Sequence, residues 1–266
     1  MSGVARYAGI WLAQIRYSTV REMMFKANFI LWIVVDLCWY ALNLFFVQFL
    51  YLQVNEVAGW TQWEMVLLVS TNYLVQQIFQ TFLMINLTKL PELVRSGRLD
   101  FLLAQPASVQ FIVSTRGFEP GSVFTSALAL VGCGVAIANL HTNVSRVGFV
   151  VFPCLVLCGV MIHYAMMLML MSLAFWMTRA QGFIYAYYNF FQIARLPREA
   201  FHGVAKLVFT WGVPLLLIAN VPAKTLLDGL QHLGGIAEML GVTAVLVALS
   251  TAVFRMGLRR YGSASS

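Results

Sequence analysis

The chain has 266 residues, 61% of them apolar and 10% charged, with a mean hydropathy of +0.80; soluble domains run near roughly 45–50% apolar and 25% charged. A soluble globular protein is excluded, and no polar stretch is long enough to fold apart, so residues 1–266 read as a single membrane domain. The net charge of +7 would point to nucleic acid in a soluble protein; here it serves topology, and no nucleic-acid partner is expected.

In chain order, residues 1–28 come first and mix Tyr7, Ile10, Trp11 and Ile15 with Arg6, Arg16, Arg21 and Lys26. That is the make-up of a helix lying in the membrane interface with its basic side toward anionic headgroups. It has no compact apolar core before a small-residue cleavage site, so no cleavable signal is expected. Crossing a hydrocarbon core of about 30 Å takes roughly 20 helical residues. Apolar runs of that length fall at 29–52, 65–87, 123–140, 147–177 and 236–256. Between Arg179 and Gly229 two shorter pieces, 182–196 and 207–221, are interrupted by Pro197, Arg198, Glu199, His202, Pro214 and Pro222.

Positive residues orient the set. Arg6, Arg16, Arg21 and Lys26 precede the first span, Lys89, Arg95, Arg98 and Arg116 fill the second loop, Arg179 follows the fourth span, and Arg255, Arg259 and Arg260 follow the last. The other loops hold Glu56 without a cation, and Arg146 alone. Both termini are therefore expected in the cytoplasm, which requires an even number of spans. The sixth can arise in two ways. Either 182–196 crosses outward and 197–230 forms a re-entrant hairpin on the outer side, or 180–206 is a cytoplasmic amphipathic segment and 207–221 crosses.

Ionisable and amide groups inside spans are costly and become functional candidates. Asp36 shares a helix face with Tyr40 and Asn43, and Asn72, Gln76 and Gln80 with adjacent Gln77 present amides along about 12 Å of the second span. Asn189, Gln192 and the pair His163–Tyr164 are weaker members of the class. Each set either hydrogen-bonds a neighbouring helix or lines a substrate path. Ala127, Ala129, Gly132, Gly134, Ala136 and Ala138 read as a packing face of the third span. The aromatics Trp32, Trp39, Tyr40, Phe45, Phe46 and Phe49 of the first face lipid or another helix, or border an apolar path. Cys38, Cys133, Cys154 and Cys158 lack histidine partners at zinc spacing and read as buried packing thiols.

The cytoplasmic loop 89–106 has an apolar helical face, Leu90, Leu93 and Val94, and a polar one, Glu92, Arg95 and Arg98, with Gly97 placed to end the helix. A soluble partner could grip such a helix. Phosphate-loop, zinc-protease, serine-hydrolase and paired intramembrane carboxylate motifs are all absent from the sequence, so no catalytic residue and no metal ligand is proposed.

Val94-Arg95-Ser96-Gly97-Arg98-Leu99-Asp100, followed by Leu103 and Pro106, resembles the hallmark loop of a bacterial family of ABC-type export permeases with a type V exporter fold. Lys26-Ala27-Asn28-Phe29, Gly59-Trp60-Thr61, Ala194-Arg195-Leu196-Pro197, Val213-Pro214 and Asn220-Val221-Pro222-Ala223 agree with it in order along the chain. The resemblance implies an all-α membrane protein of six transmembrane helices, with an N-terminal interfacial helix and an outer re-entrant helical hairpin, 197–230, between helices 5 and 6. It implies a bacterial inner-membrane location, a second permease half, identical or paralogous, and a separate ABC ATPase dimer that binds ATP and Mg, with no cofactor in this chain. The 89–106 loop becomes the coupling helix, with Glu92, Arg95, Arg98 and Asp100 toward the ATPase. Asp36, Tyr40, Asn43, Asn72, Gln76, Gln80, Asn189 and Gln192 then line the path of an amphipathic or hydrophobic substrate. Lys224 is less expected in the hairpin, and Asp228 is its nearest sequence partner. An ion-coupled carrier using Asp36 and a non-transporting membrane scaffold are the competing readings.

Overall fold

The computed structural model describes residues 3–24, 26–140, 144–177 and 182–262, and among them the fold is helical, with one isolated β-bridge, Val57 to Trp60. Arg179 and the tail from residue 263 onward, both read in the sequence, lie outside the described residues. The first helix, α1 (Gly3–Met23), leads into α2 (Lys26–Tyr51). A tight turn follows in which Val57 and Trp60 exchange both backbone hydrogen bonds, at 3.1 and 3.0 Å, while Ala58 and Gly59 take φ of 54° and 78°. Next comes α3 (Gln62–Phe79), whose Glu64 carboxylate accepts from the Thr61 amide at 2.8 Å. α3 passes through a π turn, Gln80–Met84, into Ile85–Leu87.

The loop 89–106 holds two short helices, α4 (Leu90–Arg95) and α5 (Leu99–Leu103), and α6 (Val109–Thr115) follows. Then come α7 (Gly121–Asn139) and α8 (Arg146–Ser172), the latter ending in a 3-10 turn, Leu173–Phe175. The broken region gives α9 (Gly182–Phe191) with a 3-10 extension, Gln192–Arg195, then α10 (Gly203–Leu207) running into a π turn, Val208–Gly212, and α11 (Leu215–Asp228). The last helix is α12 (Leu233–Arg260).

Among the described residues four helices are long and apolar enough to cross a membrane, α2, α7, Arg146–Phe175 and α12; Gly203–Gly212 and Leu215–Asp228, bent by 86° at their junction, would make five as one span. These elements fall where the apolar runs lie in the sequence. The rod 62–87 packs in the same bundle against α7, α8 and α11. In the loop, Gly97 at φ 71° ends the first helix where the sequence places that end, and a second short helix follows within 89–106.

The bundle is built around α8, whose apolar window is 67% buried against 11% for α2 and 17% for α12. Its partners are α3, α11 and α12, and a core of Leu67, Leu74, Val75, Leu155, Met167, Leu168 and Ile218 fills the space between them. Of the residues predicted to pack α7, Ala129, Gly132 and Ala136 are turned inward, while Ala127, Gly134 and Ala138 face outward. Gly132 has a specific reason: a Cβ there would overlap the Tyr40 hydroxyl and stand 2.9 Å from Ser70 Oγ. Two of the thiols expected to be buried, Cys38 and Cys154, are exposed on the chain's surface, and only Cys133 is fully buried. The α2 aromatics Trp32, Trp39, Phe45, Phe46 and Phe49 are exposed too, leaving Tyr40 as the one turned into the core. An outward face so apolar belongs against lipid or a second membrane subunit.

Candidate functional site

At the α2–α3 contact two residues of the predicted polar stripe, Asp36 and Tyr40, are joined through Tyr73. Tyr40 stacks on Tyr73 with centroids 4.5 Å apart, and its hydroxyl hydrogen-bonds Ser70 Oγ at 2.7 Å. The Tyr73 hydroxyl donates to the Asp36 carbonyl at 2.8 Å, and the Gln77 amide lies against the half-buried Asp36 carboxyl. Asn43 donates to the Trp39 carbonyl at 2.7 Å and accepts from the Arg195 guanidinium, so α2 is tied to the segment after α9. Alongside, α2, α3 and α7 enclose an open groove of about 450 Å³ lined by Tyr40, Phe45, Gln48, Trp63 and Gly132 among others. Apart from the Tyr40 hydroxyl and the Gln48 amide the lining is aromatic and aliphatic, and of the predicted path residues only Tyr40 reaches it.

The other predicted path residues sit as follows. Asn72 is buried with its Oδ1 unpartnered, as is Gln77 Oε1. Gln76 is half-buried, and Gln80 opens the π turn, a distortion found often at functional sites. Asn189 is exposed on α9 and Gln192 half-buried at the start of its 3-10 extension. Among the described residues no hydrogen bond joins either to the Asp36 cluster; Arg195 reaches α2 instead, at Asn43. Sequence reasoning missed the partners Ser70 and Tyr73, which carry no signal beyond helical spacing. It also missed that His163 Nδ1 meets the Tyr187 hydroxyl between Phe79 and Phe191, with Nε2 buried and unpartnered.

A second cluster lies a few residues beyond Arg195. Glu199 accepts from Trp60 Nε1 at 2.8 Å and pairs with Lys224, whose ammonium lies 5.5 Å from the Trp60 ring centroid. Lys224 thus pairs with Glu199, not with Asp228, its nearest acid in sequence. Arg198 forks onto Glu238 at 2.7 and 3.0 Å, and Asn220 holds the turn by accepting from Arg198 N at 2.8 Å and donating to Leu196 O at 3.0 Å. Burial acts to raise the Glu199 pKa, but the hydrogen bonds from Lys224 and Trp60, with the Lys224 charge, outweigh it and hold the carboxyl below its usual 4.5.

At the loop 89–106, Leu90 and Leu99 are fully buried and anchor α4 and α5, leaving Arg95 exposed. The Glu92–Arg98 ion pair is itself exposed, so it orients the loop and adds little stability. Asp100 stands beside the Tyr261 phenol, whose pKa is raised by burial and then by that carboxylate. Below them, α4 rests on the 3-10 turn that ends α8. A push on α4 therefore meets the central helix directly. Among the described residues no three His, Cys, Asp or Glu side chains gather as a metal site.

These features define a multi-pass helical membrane protein with polar clusters in its bundle and a braced loop at one end. The family model described as an ABC-2 family transporter protein matches residues 37–265, and the chain belongs to that family, as a membrane permease of an ABC transport system. No curated protein and no solved structure matches it.

Proposed function

We propose that the chain is half of the membrane part of an ATP-driven exporter, moving an amphipathic or hydrophobic substrate outward on energy from a separate ATPase dimer that binds ATP and Mg. Six spans serve this reading: α2, the rod 62–87, α7, α8, residues 182–195 and α12, with α1 in the interface and both termini in the cytoplasm of a bacterial inner membrane. Residues 197–230 form the outer re-entrant hairpin. Its 86° bend and its near-complete burial of α11 support that placement, since broken backbone at membrane depth is tolerated where protein surrounds it. A second permease half, identical or paralogous, covers exposed apolar surface such as that of α2.

The observation that carries the proposal is the seating of α4 on the end of α8, with Arg95 exposed. ATP-driven closure of the ATPase pushes this loop and, through α8, shifts the bundle around Asp36, Tyr40 and Asn43 and the amides Asn72, Gln76 and Gln80, with Asn189 and Gln192 further along. Affinity that differs between the two states moves the substrate. Arg95→Glu combined with Asp100→Lys is expected to cut ATP turnover of the complex at least tenfold while the chain stays folded and in the membrane. Unchanged turnover and assembly would remove Glu92, Arg95, Arg98 and Asp100 from the coupling role. For topology, His202→Cys in a background without the four native cysteines should react with an impermeant maleimide added outside intact cells; His202 is exposed, so labelling from the cytoplasmic side alone contradicts the hairpin.

A further inference from the structure

We infer that the cleft between α1 and the cytoplasmic loop is a binding site for the headgroup of one anionic phospholipid of the inner leaflet. This rests on the orientation proposed above, which places α1 in that interface. The cleft has a volume of about 850 Å³, room for a phosphodiester headgroup. Lys89, Arg98 and Arg116 line it together with a single carboxylate, Glu92, which is paired with Arg98. The lining therefore carries a net positive charge.

Arg116 is held at the rim by a clamp on its neighbour. Asn86 donates to the Gly117 carbonyl at 2.9 Å and accepts from the Gly117 amide, and a Cβ at 117 would stand 2.9 Å from Asn86 Oδ1. The cation is thus positioned by the end of the rod 62–87. On the facing wall Gln14 presents an Oε1 that is buried and without a partner, an acceptor suited to a hydroxyl or ammonium of a headgroup beyond the phosphate. Just outside, Leu12, Tyr17, Val20 and Met24 are exposed along α1, apolar residues that suit acyl chains. Cations for a phosphate, an acceptor for a headgroup donor and an apolar edge together describe a phospholipid such as phosphatidylglycerol, in place of a free phosphate ester.

The test uses the full chain in nanodiscs of phosphatidylcholine containing a minor share of phosphatidylglycerol, with native mass spectrometry counting the anionic lipid retained on release. About one phosphatidylglycerol per chain is expected for the natural sequence. Its retention should weaken about fivefold in Arg116→Gln and again in Lys89→Gln, following about 1 kcal/mol per basic residue at a membrane surface. Arg146→Gln, which removes the same charge far from the cleft, should leave retention unchanged. Equal loss in all three variants, or loss in none, overturns the site. Glycerol phosphate displacing the lipid at matched concentration assigns the cleft to a free anion and overturns the lipid reading. None of these readouts depends on ATP turnover, so failure here is distinct from failure of the exporter reading.

Discussion

Glu199→Ala is expected to lower the stability of the folded chain by about 2 kcal/mol, because it removes the acceptor shared by Trp60 and Lys224 and leaves that ammonium unpaired in a half-buried site. The loss should be smaller when Lys224→Met is already present, and the coupling read from the double-mutant cycle measures the pair itself. Linkage gives the same contact a pH signature. The folded Glu199 pKa lies below 4.5, so its contribution is complete above the unfolded value and is lost as pH falls through the folded one. Thermal unfolding in detergent at neutral pH and again near the folded pKa should show the difference between natural chain and Glu199→Ala shrinking in acid. An undiminished difference would mean that the ionised carboxyl is not what the mutation removes.

Gly148→Leu should be more damaging, about 3 kcal/mol, since a Cβ there would overlap the Thr225 carbonyl oxygen and come within 3.0 Å of Leu226 Cα. Both obstacles are backbone and cannot swing aside. Gly159 faces the same helix, where a Cβ would lie 3.1 Å from the Ile218 carbonyl, so α8 approaches α11 along two small-residue steps. The change would push α11 off α8. Gly134→Leu is the matched control, for no atom lies within 4 Å of its added Cβ, and a shift of less than about 0.5 kcal/mol is expected. A large melting-temperature drop for Gly148→Leu beside a negligible one for Gly134→Leu is the predicted pattern; equal shifts would contradict the α8–α11 contact.

The apolar runs were legible in the sequence because a helix must be apolar over a fixed length to enter lipid. The loop's glycine was legible too: a left-handed position after a short helix favours glycine, and Gly97 takes it. Polar side chains inside the spans could be singled out; Asp36 and Tyr40 meet through Tyr73, while Asn43 turns to Trp39 and Arg195. Their partners could not be read. Trp60 and Glu199 are far apart in the chain, as are Asn43 and Arg195, and only the packing of helices brings them together. Nothing in the chain marks the π turn at Gln80. Lys224 illustrates the limit: helical spacing offered Asp228, and the packing of the broken region delivered Glu199 instead.

The central claim is that this chain couples to an ATPase carried on another polypeptide. A tagged copy, expressed with its natural partners and purified in mild detergent, should bring down a nucleotide-binding subunit and hydrolyse ATP, whereas the chain purified alone should hydrolyse none. ATP hydrolysis by the isolated chain, or a pure chain that never recovers an ATPase subunit while transporting substrate on a proton gradient abolished by Asp36→Asn, would contradict it.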